Sequence, residues 1–275
     1  MFDLSLWWQY SIALIFSFIF GYPLIWLFYS SFKTSNHLLK NIWGLPQEIS
    51  FEGYQQVLNS PDFFKYFGNN LLLTITAIPL LLTAASMAAY VFARMRFRGC
   101  NVLFYVFLAG TMIPIHVTLI PLYVMMRDLG WLNHLTAILF PYVGFALPVS
   151  IYILRGFFEQ IPIEIEEAAR IDGCTTARIF WSIILPLARP ALVTVTVLSL
   201  VSVWNEYLFA LIFVAANNDA YTLSLGLVSF IVTLGRVDYD LMLSSMSITV
   251  LPVLLFYFLA QRQIIKSLTA GAVRG

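Results

Sequence analysis

Glu164, Glu166 and Glu167 crowd against Arg170, Asp172 and Gly173 in a 275-residue chain of which only 11% is charged. The residues around this cluster read as a short helix built to dock. Pro162 fits a first helical turn, and the glutamates follow where the helix dipole favours negative charge. Glu166 and Arg170 stand at i, i+4, a pairing that supports an exposed helix. Ile161, Ile165, Ala168 and Ala169 form a stripe at helical spacing. Gly173 can end the helix in the left-handed conformation, and Thr175 or Thr176 can cap a second helix running through Phe180 and Trp181 toward Pro186. Alanines allow close backbone approach and a charged rim sets register, so one reading is insertion into another protein's groove. A helix lying on a membrane surface is the other.

A second constellation is Trp204, Asn205, Glu206 and Tyr207. Planar rings beside an amide and a carboxylate suit a sugar's apolar face and hydroxyls. The alternative is structural, with Glu206 hydrogen-bonded to a neighbouring helix, an outer gate or an external protein partner. Weaker substrate-pathway candidates are His116, Thr118 and Tyr123, where Pro114 and Pro121 could open backbone carbonyls toward a cavity. Catalytic patterns are missing. The three histidines are scattered with no His-Glu-x-x-His, so no zinc site is expected. Glu166-Glu167 before Arg170 only loosely echoes a glutamate-type membrane protease, one residue short in spacing. No glycine is followed by Lys-Ser or Lys-Thr, so the chain lacks a phosphate-cradling loop and cannot itself hydrolyse ATP. A net charge of +1 without a basic aromatic patch gives no sign of nucleic-acid binding.

The elements that position these residues are membrane spans. The chain is 60% hydrophobic, with a mean hydropathy of +0.85. Soluble domains carry about 25% charged residues, which excludes a soluble core. Charge is absent over 4–32, 66–93, 99–126, 129–154, 190–205 and 241–261, and the fifth run continues apolar to 213, interrupted by Glu206. A helix needs roughly 20 apolar residues to cross a bilayer, and hydrocarbon demands that backbone groups be satisfied within the segment. The expectation is one all-α membrane domain, 1–275, with six spans at 9–32, 67–93, 102–126, 134–154, 190–213 and 243–261, and a loop at 155–189. The start of the chain is expected to remain as the first span, because no positive residue or small-residue cleavage site marks a signal. The uncharged segment 220–235 is short and glycine-bearing, and is expected to be an outer hairpin or re-entrant element. Segment 217–240 as a whole reads either as a cap over the bundle or as an insertion toward a partner.

Arginine placement sets orientation. Arg94, Arg96 and Arg98 share one connection, Arg155, Arg170, Arg178 and Arg189 another, and Arg262, Lys266 and Arg274 lie in the tail. Lys33, Lys40, Lys65, Arg127 and Arg236 are spread over the opposite side. The positive-inside rule puts the first set and both termini in the cytoplasm. Cys100 and Cys174 then face a reducing compartment as free thiols.

Glu167-Ala168-Ala169, then Gly173, then Ile183, Leu185 and Pro186 follow the EAA-x3-G-x9-I-x-L-P pattern of ABC importer permeases at every spaced position. Residues 157–162, Trp204-Asn205-Glu206, 113–123 and the tail 268–275 resemble the carbohydrate-uptake branch, in particular its maltose-type second permease subunit. Cys174 stands where that family usually has alanine, and Ser267 where glycine is common. The resemblance implies a type I ABC importer permease fold in the inner membrane. It also implies a second permease, two ABC ATPase subunits that hold ATP and Mg, and an external solute-binding protein. This chain would bind no cofactor of its own. Glu166, Glu167, Ala168, Ala169, Arg170, Asp172 and Gly173 would couple to the ATPase, and Thr269, Ala270 and Gly271 would touch it from the tail. The implied cargo is a sugar; the alternatives are a non-sugar solute such as a glycerol phosphoester, a secondary transporter or an intramembrane enzyme.

Overall fold

The computed structural model describes residues 4–233 and 236–272, with side chains for 7–228 and 238–261. In chain order the helices are α1 (Leu4–Ser30), α2 (Ser35–Lys40), α3 (Glu52–Leu58), α4 (Pro61–Arg94), α5 (Cys100–Ala109), α6 (Ile115–Asp128), α7 (Thr136–Gln160), α8 (Ile163–Ile171) and α9 (Thr176–Ile179). A π-turn (Phe180–Ile184) leads into α10 (Leu185–Leu187), α11 (Arg189–Trp204), α12 (Leu208–Phe213) and α13 (Leu223–Ile231). The two-residue strands β1 (Val232–Thr233) and β2 (Arg236–Val237) pair antiparallel, and α14 (Tyr239–Ala272) follows. The expected outer hairpin is therefore a helix followed by this short ladder.

By length and composition four described helical segments can cross a membrane: Trp7–Ser30, Pro61–Arg94, Thr136–Gln160 and Tyr239–Gln261. Two bent pairs bring the number to six if each pair is one span. The third expected span, 102–126, falls on the first of these pairs. A short 3-10 turn at Gly110–Met112 follows α5, and the chain then bends by 98° into α6. Ile113 precedes Pro114 and takes an extended conformation (φ −78°, ψ 114°), as steric conflict with a proline ring demands. Pro121, Pro141 and Pro148 sit inside helices that continue through them.

The fifth expected span, 190–213, starts just after the second bend. A 75° bend separates Thr176–Leu187 from α11. Pro186 has no N–H to give Ser182, and just before it the Leu185 N–H reaches back five residues to Phe180 O in the π-turn. At the other end α11 stops at Trp204, so the run 190–213 is two helices with Asn205–Tyr207 between them.

Two compact units make up the chain: Met1–Phe64 with Gly226–Pro252, and Lys65–Leu225 with Val253–Gly275. In the first, Ser35 Oγ donates to Asp240 Oδ1 (2.7 Å) and accepts from the Tyr239 and Asp240 amides. Ser244 Oγ donates to Ser31 O (3.2 Å). A Cβ at Gly53 would run into Asp240 O and Ser244 Oγ, so only glycine lets α3 approach α14 this closely. The 18-residue apolar window of α1 has no buried residue.

The second unit has two cores. One gathers Ala85, Ala89, Tyr90, Phe158, Ala169, Ile179, Phe180 and Ile184 from α4, α7, α8, α9 and the π-turn. The other gathers Leu73, Ala77, Met126, Ile138, Val203, Phe209 and Phe213. The alanines on α4 let neighbouring helices pack closely, the usual device where lipid removes the hydrophobic drive between helices. Cys100 and Cys174 are free, half-buried thiols.

Candidate functional site

Helix α8 forms for the local reasons its sequence suggests. Pro162 precedes it in extended geometry (ψ 134°), and Glu164 and Glu166 occupy its first turn. At the far end Asp172 N–H donates to Ala168 O and Gly173 N–H to Arg170 O. Cys174 N–H donates to Ala169 O. Gly173 takes φ +80°, where a side chain is strained, and so ends the helix. Thr175 caps α9 by accepting from the Arg178 amide at 3.3 Å.

The seven residues expected to couple outward split between two faces. Glu166 has no exposed surface and Ala169 is 6% exposed. Both turn into the first core. Glu167, Ala168, Arg170, Asp172 and Gly173 are exposed. Glu164, Glu167, Ala168 and Ile171 share one face at helical spacing, and Ile171 is 87% exposed.

The expected pairing of Glu166 with Arg170 is therefore corrected. Glu166 Oε1 lies 2.7 Å from Arg94 Nε, an ionic approach without the alignment of a hydrogen bond. Tyr90 OH donates to Glu166 Oε2 at 2.9 Å. Arg94 also donates from Nη2 to Ile161 O at 2.6 Å. The physical reason is angular: Glu166 and Ala169, three residues apart, define the buried face, and Arg170, about 100° on from Ala169, turns out toward solvent. The expected stripe is divided, with Ile161 and Ala169 buried and Ile165 (37% exposed) and Ala168 facing out.

Around the second constellation the acid is again turned inward. Glu206 is 1% exposed. Its Oε1 accepts from the Phe209 amide (2.7 Å) and its Oε2 from the Ala210 amide (3.1 Å), which caps α12. Both carboxylate oxygens are thereby engaged by the backbone. Trp204 is buried with its ring 5.7 Å from Phe67, and its carbonyl accepts from Asn70 Nδ2 at 3.2 Å. Asn205 and Tyr207 are exposed. On the other pair of helices, His116 and Tyr123 are exposed, and Thr118 Oγ1 bonds back to Ile115 O.

None of these residues lines the cavity of about 340 Å³ between α4, α6, α7, α11 and α12. Its polar lining is Tyr142, Ser150, Ser199 and Ser202, set among aliphatic and phenyl side chains. Tyr142 OH donates to Ser202 O at 3.1 Å. Sequence reasoning missed these four, because single hydroxyls in apolar helices read as ordinary packing. For the tail residues Thr269, Ala270 and Gly271, only a place in the backbone of α14 is given; their side chains lie outside the described residues.

A bundle with two broken helical pairs and a short two-faced helix between them defines a class. Residues 82–269 match the family described as binding-protein-dependent transport system inner membrane component, and the chain belongs to it. The ABC transporter permease protein ORF2 of Caldicellulosiruptor sp. (strain Rt8B.4) is 37% identical over 269 residues, covering 98% of this chain and 97% of the relative. The diacetylchitobiose uptake system permease protein NgcG of Streptomyces coelicolor is 32% identical, covering 97% of this chain and 88% of the relative. Among solved structures, a bacterial ABC transporter involved in the import of the acidic polysaccharide alginate matches with a TM-score of 0.82 and 27% identity, over 93% of this chain and 95% of that one. The fold is that of type I ABC importer permeases, and the chain is a transport subunit rather than an enzyme.

Proposed function

We propose that this chain carries an oligosaccharide through the inner membrane as one permease of a heteromeric ABC importer. The observation that carries the reading is the free face of α8, where Glu164, Glu167 and Ala168 surround an isoleucine 87% exposed. Burying such a side chain contributes about 1.5–3 kcal/mol, a large sum to leave unclaimed at one position. The fit is to a groove on an ATPase subunit in the cytoplasm, with the arginine-rich connections and both termini on that side. ATP and Mg belong to that subunit, and this chain holds no cofactor. Arg170, Asp172 and Gly173 border the docking face, and Thr269, Ala270 and Gly271 add a second contact. A second permease covers α1, whose apolar window is bare.

The sugar assignment is supported by similarity to permeases named for diacetylchitobiose uptake and to an alginate importer. An external solute-binding protein delivers the cargo. Within this chain, the tyrosine and serines of the cavity between α7 and α11, with Asn205 and Tyr207 beyond it, are the groups suited to ring faces and hydroxyls. Its volume, about 340 Å³, falls at the small end of ligand pockets.

The test is reconstitution of the permease pair, ATPase and binding protein in proteoliposomes, with labelled diacetylchitobiose, maltose and arabinotriose as probes. Uptake should require ATP and the ATPase, and Ile171→Asp should release the ATPase on purification. Uptake that proceeds without the ATPase, or an Ile171→Asp complex that stays assembled, overturns the reading.

A further inference from the structure

We infer that Tyr90, Arg94 and Glu166 are the joint through which displacement of α8 is delivered to α4 and α7 together, which makes Arg94 and Glu166 positioning residues for transport. The inference rests on α8 docking to an ATPase, as proposed above.

Arg94 is the last residue of the 34-residue α4. Its guanidinium holds Ile161 O, just past the end of α7, at 2.6 Å, and Glu166 of α8 at 2.7 Å. Tyr90, one turn earlier on α4, donates to the other Glu166 oxygen and packs its ring against Phe158 of α7 and Phe180 of the π-turn (6.3 and 5.1 Å). One guanidinium therefore ties two membrane helices to the inner face of the helix whose outer face is free.

Stability alone does not account for this choice of residues. Desolvating a buried ion pair costs about what the pair returns, and apolar side chains of similar volume often do as well or better. What the charged trio adds is direction. Helix α8 is bounded by Pro162 in extended geometry and by Gly173 at φ +80°, two points about which a nine-residue rod can swivel. Ala169 alone would let it slide over an apolar surface. Fixed contacts to both carboxylate oxygens remove that freedom, so a push on the outer face moves α4 and α7 instead of turning α8 in place.

The experiment uses the full complex in proteoliposomes. The informative variant is the double replacement Arg94→Leu/Glu166→Leu, which removes direction while keeping apolar bulk. It should retain the ATPase on purification, while sugar carried per ATP hydrolysed falls about tenfold, a change within the usual range for coupling residues. The swap Arg94→Glu/Glu166→Arg should recover most of that loss. Glu166→Gln, which keeps the shape and loses the charge, should lower the ratio in the same direction, and it takes the place of the leucine pair if that variant does not fold. Spin labels at Cys174 and at Met95→Cys, with Cys100→Ser, give a direct reading. Their distance distribution should not respond to ATP in the otherwise native complex, and should broaden with ATP in the leucine variant. A native transport ratio in an assembled leucine variant, or identical label responses in both complexes, overturns the joint. Loss of the ATPase from the leucine variant would make the pair part of docking and overturns it too. Retention of the ATPase by Ile171→Asp strikes the docking reading instead, so the two failures are told apart.

Discussion

Two glutamates are buried in the second unit, and they are satisfied in opposite ways. Glu166 is held by side chains from a helix distant in sequence, with Tyr90 76 residues away. Glu206 is held by the amides of Phe209 and Ala210, three and four residues ahead of it. The first is a tertiary connection that reports where α8 sits relative to α4. The second is a local turn that reports only that α12 begins. A buried carboxylate is costly in either place, so each needs its partners. Only the first can carry force between elements.

The largest effect should come from cutting the distant connection on one side. Glu166→Ala leaves the largely covered Arg94 without its acid partner and bonded only to Ile161 O, and losing one partner of a buried pair typically costs about 3–5 kcal/mol. Thermal unfolding of the detergent-purified complex should show a marked drop. Adding Arg94→Leu to it should restore much of the stability, because the orphaned charge is gone. A drop that Arg94→Leu leaves untouched would mean the two residues act independently. Glu206→Ala should come next: two buried amides lose their acceptor, but the desolvated carboxylate goes with it, which leaves a net cost of about 1–3 kcal/mol. Its partners are backbone, so no side-chain replacement elsewhere should rescue it, whereas Glu206→Gln, which keeps one acceptor oxygen, should lose about half as much. Rescue of Glu206→Ala by a distant substitution would erase the distinction between the two sites.

The sequence reveals these two sites unequally, for a physical reason. The spans are legible because lipid imposes length and apolarity on every crossing, and α1, α4, α7 and α14 lie where the charge-free runs predict. The ends of α8 are equally legible: Gly173 and Thr175 act through backbone geometry a few residues away. The face of α8 that packs is not. Glu166 and Glu167 are the same residue type side by side, and what separates them is Arg94, whose proximity only the folded chain creates. The break at Pro114 is only half legible, as a proline able to open the backbone but not as a sharp bend. Prolines recur through the apolar runs, and Pro141 and Pro148 stay inside α7 while Pro114 accompanies a 98° bend. Glu206 did carry a readable signal. An acid just ahead of an apolar helical turn can accept from that turn's free amides, while the aromatic residues beside it equally suit a sugar's ring face.

Gly173→Ala tests the local side of the comparison at smaller scale. A Cβ at φ +80° meets no neighbour, so the cost is conformational strain alone, about 1–2 kcal/mol for a left-handed residue. Stability should fall by about that amount, and α8 should remain tied to α4, since Arg94 and Glu166 are untouched. The spin-label distance between Met95→Cys and Cys174 would therefore stay insensitive to ATP in Gly173→Ala. A broadened distribution would instead assign the control of α8 to its glycine end rather than to its buried glutamate.

The smallest effect belongs to the cap of the next helix. Thr175 Oγ1 accepts from the Arg178 amide at 3.3 Å, a long bond at an exposed position. Thr175→Ala removes it, at about 0.5–1 kcal/mol given that solvent can take over the amide. The unfolding midpoint should shift only slightly and the ratio of sugar to ATP should hold. That outcome separates the two kinds of contact most cleanly, because α9 is only four residues long and yet lies directly between α8 and the π-turn. If so weak a local bond changed the transport ratio while leaving stability intact, force would have to pass along the chain through α9. The side-chain junction at the end of α4 would then be a bystander.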